Sequence, residues 1–147
     1  MSDLNYFALE PAIKARVEAE MPELEEVYTP FSVDQMLQLT NASPSVSIIY
    51  AGDRVGDSAG NGKANAVYQQ WLVVLSVNEA SAQLGDTSDI RTIAAPLIAK
   101  LLCALQGWWP DIAPFQELSR VNAGVSVGSD DSGNGYFPFL FESQMFT

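Results

Sequence analysis

Leu9, Ile13, Val17 and Met21 fall at intervals of four, the spacing of one apolar stripe on a helix, and predict a helix over residues 9–21. Pro11 fits its first turn, where a backbone N–H has no helical partner anyway, and Pro22 stops it. Residues 26–29 read as a short extended piece closed by Pro30. Ser32-Val33-Asp34-Gln35 is a capping-box pattern and predicts a short helix through Leu39. Residues 45–51 predict a strand with Val46, Ile48 and Tyr50 on one face. The next stretch, 52–65, holds Gly52, Gly56, Gly60 and Gly62 with little apolar content, and reads as a long flexible tip. The strongest strand signal follows at 66–78. Val67, Trp71, Val73, Leu75 and Val77 alternate onto one face, while Leu72 and Val74 take the other. A strand apolar on both faces belongs at the centre of a sheet or under a neighbour. Together the two strands predict a long β-hairpin.

Residues 80–88 are a polar connection. A second long helix is expected from Thr87 or Ser88 to Gln106, with Gly107 as its C-cap residue. Its core stripe is Ile90, Ala94, Leu97, Leu101 and Leu105, widened by Ile93, Ile98 and Leu102; Pro96 inside it predicts a kink or break. Two last strands are expected over 116–127 and 136–146, joined by a turn over 128–135. Phe137, Phe139 and Phe141 alternate to one face. Pro138 predicts an edge position or a bulge, since proline lacks the ladder donor. No repeat or linker divides the chain. The pattern gives a single α+β domain over 1–147: a mainly antiparallel β-sheet with a long β-hairpin, packed by two principal α-helices.

Composition narrows the chemistry. Hydrophobic residues make up 48% of the 147 and charged residues 17%, which excludes wholesale disorder and leaves a surface short of charge. Net charge is −11, from 18 acidic and 7 basic residues. Such a surface repels phosphate and anionic lipid, against nucleic-acid grip and membrane docking. Glu10, Glu18, Glu20, Glu23, Glu25 and Glu26 cluster early, and read as a solvated helix face before a binding patch. There is no histidine, which removes the usual general base, the Ser-His-Asp and Cys-His arrangements and the commonest zinc ligand. Cys103, the sole cysteine, reads as a packed core thiol. No secretory signal and no run long enough to span a bilayer are visible, so a soluble cytoplasmic chain is expected.

Two loops invite a ligand reading and lose it. The sequence from Asp53 to Lys63 lacks the P-loop spacing: Asp57 stands where glycine is needed, Ala64 where Ser or Thr is needed, and a strand follows rather than a helix. Asp130-Asp131-Ser132-Gly133-Asn134-Gly135 offers oxygens for calcium but lacks the EF-hand spacing and closing glutamate, and reads as a hairpin turn. The expectation is no catalytic residue, no cofactor and no metal. Assembly is the more telling reading. A hairpin with a glycine-rich tip can reach a neighbouring subunit or add strands to its sheet. Arg54 and Lys63 sit there, on a chain short of cations. With Gly56, Gly60 and Gly62, and with Trp108 and Trp109 after the helix end, they form the candidate subunit or tube interface; the tryptophans read equally as core.

The order of features resembles the tail-terminator family of long-tailed bacteriophages, in particular the group of Mu-like phages. The resemblance rests on Ser43-Pro44-Ser45-Val46-Ser47-Ile48-Ile49-Tyr50-Ala51-Gly52, then Gln70-Trp71-Leu72-Val73-Val74-Leu75-Ser76-Val77-Asn78. Leu105-Gln106-Gly107-Trp108 and Gly135-Tyr136-Phe137-Pro138-Phe139-Leu140-Phe141 complete it. It implies a structural virion protein at the head–tail interface, assembled in the host cytoplasm. It also implies a homo-oligomeric, hexameric ring that stops the tail tube protein and meets the head connector, or stopper. DNA would pass through the lumen without specific binding, and no catalytic residue carries over. The alternatives are another head–tail connector or minor tail subunit, a non-viral binding module, or an enzyme.

Overall fold

The computed structural model describes residues 5–39, 42–60, 62–78, 88–124, 128–129 and 133–146. The first stripe forms α1 (Leu9–Glu20), which buries Leu9, Ile13 and Val17, with Met21 fully buried just beyond its end. β1 (Glu26–Tyr28) is short. α2 (Val33–Leu39) starts as the capping box requires: Ser32 Oγ accepts the Gln35 backbone N–H at 3.1 Å. The return contact slips one place, since the Gln35 side chain accepts from Phe31 N–H rather than from Ser32.

β2 (Ser45–Ala59) and β3 (Ala64–Asn78) make the long hairpin, and here the structure corrects the sequence. Residues 52–59 continue the strand instead of forming a flexible tip. They pair with β3 through Ala59↔Ala64, and the irregularity is confined to shifts between Tyr50 and Gly52 and between Val55 and Ser58. Gly52, at φ 103°, sits at the first shift, where a side chain would strain the backbone.

α3 (Ser88–Leu105) runs through Pro96 without a break. Ile90, Ala94, Leu97, Leu101 and Leu105 are buried as the stripe demands, and Ile98 and Leu102 pack at its margin. Ile93 is exposed, so it does not widen that stripe. Cys103 is exposed too, correcting its reading as a core thiol. Two residues beyond Leu101 lie about 200° around a helix, on the opposite face. Gly107 ends the helix at φ 72° and donates its N–H to Leu118 O at 2.8 Å, while Leu118 N–H returns to Trp108 O at 2.9 Å.

The final strands also differ from expectation. β4 is only Leu118–Val121, where its pairing with β6 ends at Val121↔Leu140; residues 125–127 lie outside the described set. β5 (Gly128–Ser129) occupies part of the expected turn, and β6 (Asn134–Phe146) starts two residues early. The sheet order is β1-β2-β3-β6-β4, with β5 also on β6; among the described residues only β1 and β2 pair in parallel. β3 is central, as its two apolar faces require.

β6 is interior with an unbroken register against β3, so Pro138 marks neither an outer strand nor a bulge. Gln144 O accepts from Gln116 N–H at 3.0 Å on the side away from β3, and backbone groups alternate sides. Pro138, of the same parity, therefore also points away from β3. There β4 reaches back only to Leu140 and β5 only to Tyr136, so its missing donor falls in a gap between neighbours.

α1 and α3 cover one face of the sheet, over a core that includes Trp71, Val73, Leu75, Phe139 and Phe141. The other face buries a smaller cluster, Met36, Ile49, Leu72, Val74 and Leu140, with Met36 the one buried residue of α2. Each such buried side chain contributes about 1.5–3 kcal/mol, so the two-helix face dominates stability.

Candidate assembly surface

Alternation along β2 and β3 sorts the arm into two faces. On the face away from α1 and α3, Arg54 and Tyr68 are cross-strand partners, and the guanidinium lies 4.0 Å from the Tyr68 ring centroid. Arg54 Nη2 also meets Glu142 Oε1 at 3.0 Å, and Gln70 Nε2 donates to Glu142 Oε2 at 3.1 Å. The Arg54 side chain stays 55% exposed while that of Glu142 is 11% exposed, so the carboxylate is the buried member. Arg54 thus stands on the strand, not at the turn. Gly56 follows it. A Cβ there would come within 3.1 Å of the Tyr68 ring and 3.3 Å of Ala66 O, so this arm is thin where it crosses Tyr68.

Gly60 and Gly62 close the turn with φ of 60° and 88°, the left-handed backbone that glycine adopts without strain. Lys63 N–H donates to Gly60 O at 3.2 Å, and its side chain is exposed. Gly56, Gly60, Gly62 and Lys63 therefore do share one end of the hairpin, with Arg54 behind them.

On the α1 side, the arm is tied to the segment before α1. Tyr6 O–H donates to Asp53, and Gln69 Nε2 donates to Tyr6 O at 2.6 Å. Phe7 meets Tyr50 edge-on at 5.0 Å, and Tyr50 lies 5.3 Å from Trp71. Desolvation, then the Asp53 hydrogen bond and charge, push the Tyr6 phenol well above the ordinary tyrosine range. Desolvation and the Asp53 charge raise Tyr50 as well. No sequence signal announced this clasp, because its members are 47 residues apart.

The two tryptophans divide. Trp108 packs against the main core, with the Arg16 guanidinium 5.5 Å from its ring. Trp109 is 59% exposed and is the one available to a partner. They lie at the α3–β4 junction and not on the arm. The acidic residues are largely solvated, and several are engaged: Arg16 binds Glu20 at 2.9 Å, Lys100 binds Glu23, and Glu25 Oε2 accepts from Ser43 N–H at 3.2 Å. The Lys100 hydrogen bond holds the Glu23 carboxyl below the usual range.

Missed by the sequence reading is the apolar surface around α2. Phe31 is 91% exposed and lines one open cavity with Phe7, while Leu37 and Leu39 of α2 are exposed as well. An open cavity of about 160 Å³ runs along α2 between Val33, Met36, Leu37, Leu72 and Tyr136. Exposed apolar groups next to an open apolar cavity mark candidate contact surfaces. Among the described residues no group of three or more acidic or cysteine side chains could hold a metal ion, and no helix is long and apolar enough to cross a membrane. Asp130, Asp131 and Ser132, in the stretch read as a hairpin turn rather than a calcium loop, lie outside the described residues.

The family model for phage tail terminator proteins matches residues 2–147. The chain belongs to the phage tail terminator family. It is a structural component of the phage tail, hence of the virion, and works in contact with other tail or head proteins. Comparison with curated proteins gives no match.

Proposed function

We propose that this tail terminator forms a hexameric homo-oligomeric ring at the head-proximal end of the tail. The ring stops polymerisation of the tail tube protein and presents the surface that joins the head connector. The family match over residues 2–147 carries this reading. An arm longer than the core requires supports it, since β2 and β3 pair out to Ala59↔Ala64. Lys63, exposed at the turn, and Arg54, half-exposed though paired with Glu142, bring cations to that arm on a chain of net charge −11, and the acidic surface of a neighbouring copy complements Lys63 above all. The same negative charge suits a lumen through which DNA passes without sticking. On this reading the protein assembles in the host cytoplasm before it enters the virion, and the resemblance of its sequence segments to the Mu-like group supports that subfamily.

The test is the solution mass by light scattering, alone and with the tail tube protein. A closed ring, or a complex that halts tube growth, is expected. A monomer indifferent to tube protein overturns the reading.

A further inference from the structure

β1 pairs with β2 only at Ser45, Val46 and Ser47, yet β2 runs on to Ala59. From Ile48 onward the outer side of β2 has no strand beside it among the described residues. An edge of this length is a ready template for another strand. The opposite edge of the sheet is β4, and its outer side is open from Arg120 onward. Leu118 turns its backbone outward, since its N–H and O are taken by Trp108 and Gly107 at 2.9 and 2.8 Å. By alternation Arg120 also turns outward, and no strand lies beyond it among the described residues.

The two edges match in height. Arg120 lies in one row with Phe141, Trp71 and Tyr50, and Val121 in the next with Leu140, Leu72 and Ile49. β4 thus sits level with the part of β2 that begins just past the end of β1. The directions match as well. β4 is antiparallel to β6, β6 to β3, and β3 to β2, so β4 runs antiparallel to β2. A second copy repeated side by side therefore presents its β2 to β4 in the antiparallel sense, without a slide along the strand. Charges agree. Arg120 leans over Phe139 on the α1–α3 face, 5.0 Å from the ring centroid, and is exposed. Asp53, opposite Gln69 on that same face, is exposed as well, within diagonal reach of an arginine placed beside Tyr50.

We propose that the β2 edge around Tyr50 pairs with the outer edge of β4 at Arg120 in a second copy, continuing the sheet from subunit to subunit with the Arg120 side chain against Asp53 of the neighbour. Two different edges meet, so the contact is head-to-tail, the kind that closes into rings. This rests on the ring reading and specifies the joint within it.

The test uses the full chain with Cys103→Ser, carrying Asp53→Cys and Arg120→Cys, treated with a short bis-maleimide, with and without tail tube protein. The expected result is a denaturant-resistant ladder beyond the dimer, while each single-cysteine variant stops at dimer. In parallel, Arg120→Glu lowers assembly at least threefold at equal protein concentration, and adding Asp53→Lys restores it; circular dichroism checks that each variant is folded. Oligomers in light scattering with no 53–120 ladder overturn this joint but leave the ring standing. No oligomer under either condition overturns both.

Discussion

Truncating Trp71 to alanine tests the placement of β3 at the centre of the fold. The side chain is fully buried in the row Tyr50–Trp71–Phe141, and removal of an aromatic from such a site costs about 3–5 kcal/mol. A second loss adds to it. The indole N–H donates to Gln69 Oε1 at 2.9 Å, so truncation leaves a buried acceptor unpaired, at a cost of about 1–3 kcal/mol. The upper end of the first range is therefore expected, a large share of the roughly 5–15 kcal/mol that holds a domain together. Urea unfolding reads it directly, with Trp108 and Trp109 left as fluorescence probes. With a slope of about 2 kcal/mol per molar, a loss of about 4 kcal/mol moves the midpoint down by about 2 M. Trp71→Phe keeps most of the volume and loses only the donor, so it should fall between wild type and alanine. An alanine midpoint within about 0.5 M of wild type, or under about 1 kcal/mol, would refute the core placement.

Three further outcomes follow from particular contacts. Gly135→Ala puts a Cβ 2.4 Å from Ile90 Cγ2, a β-branched methyl with no room to swing, and should cost about 1–3 kcal/mol in the same assay. Ile90→Ala in the same chain should make the alanine at 135 far less costly, and strict additivity would count against the clash. Removing residues 56–62 takes away the turn and the outermost pairs, Ser58↔Asn65 and Ala59↔Ala64, but no member of the main core. The shortened protein should keep its circular dichroism and lose assembly in light scattering; loss of folding would contradict the separation of arm from core. Lys100 holds Glu23 ionised below its usual pKa, so this contact stabilises the fold above the unfolded carboxyl's value near 4.3 and fades as pH falls through the depressed one. Lys100→Met should accordingly unfold more easily than wild type at neutral pH and equally at low pH, and a gap that widens on acidification would reverse the assignment.

The elements with a strong period were legible in the sequence. Every four-residue step of α1 is buried, and β3 divides its apolar residues between the two clusters as its alternation requires. The C-cap glycine and the capping-box serine also act where their chemistry predicts. What escaped were features set by partners distant in sequence. β1 carries a single buried side chain, Val27, in three residues, and nothing in so short a run declares a parallel pairing with Ser45–Ser47. The Tyr6–Asp53–Gln69 clasp and the Arg54–Glu142 pair join residues 47 and 88 places apart, beyond the reach of any local pattern.

The arm shows the sharpest conflict between local preference and context. Residues 52–59 contain two glycines, two aspartates and an arginine, a composition that favours turns over strands. They pair nonetheless because β3 is anchored on its other side by thirteen successive partners on β6, from Ala66↔Phe146 to Asn78↔Asn134. A strand so fixed presents an ordered row of donors and acceptors, and the entropy of ordering β2 against it is offset one pair at a time. The glycines then permit the shifts at Gly52 and near Gly56 without ending the strand. Order in the arm is thus borrowed from β3 and β6 rather than from its own side chains. The same borrowing leaves its outer edge unguarded by apolar burial, which suits a strand that a second copy completes.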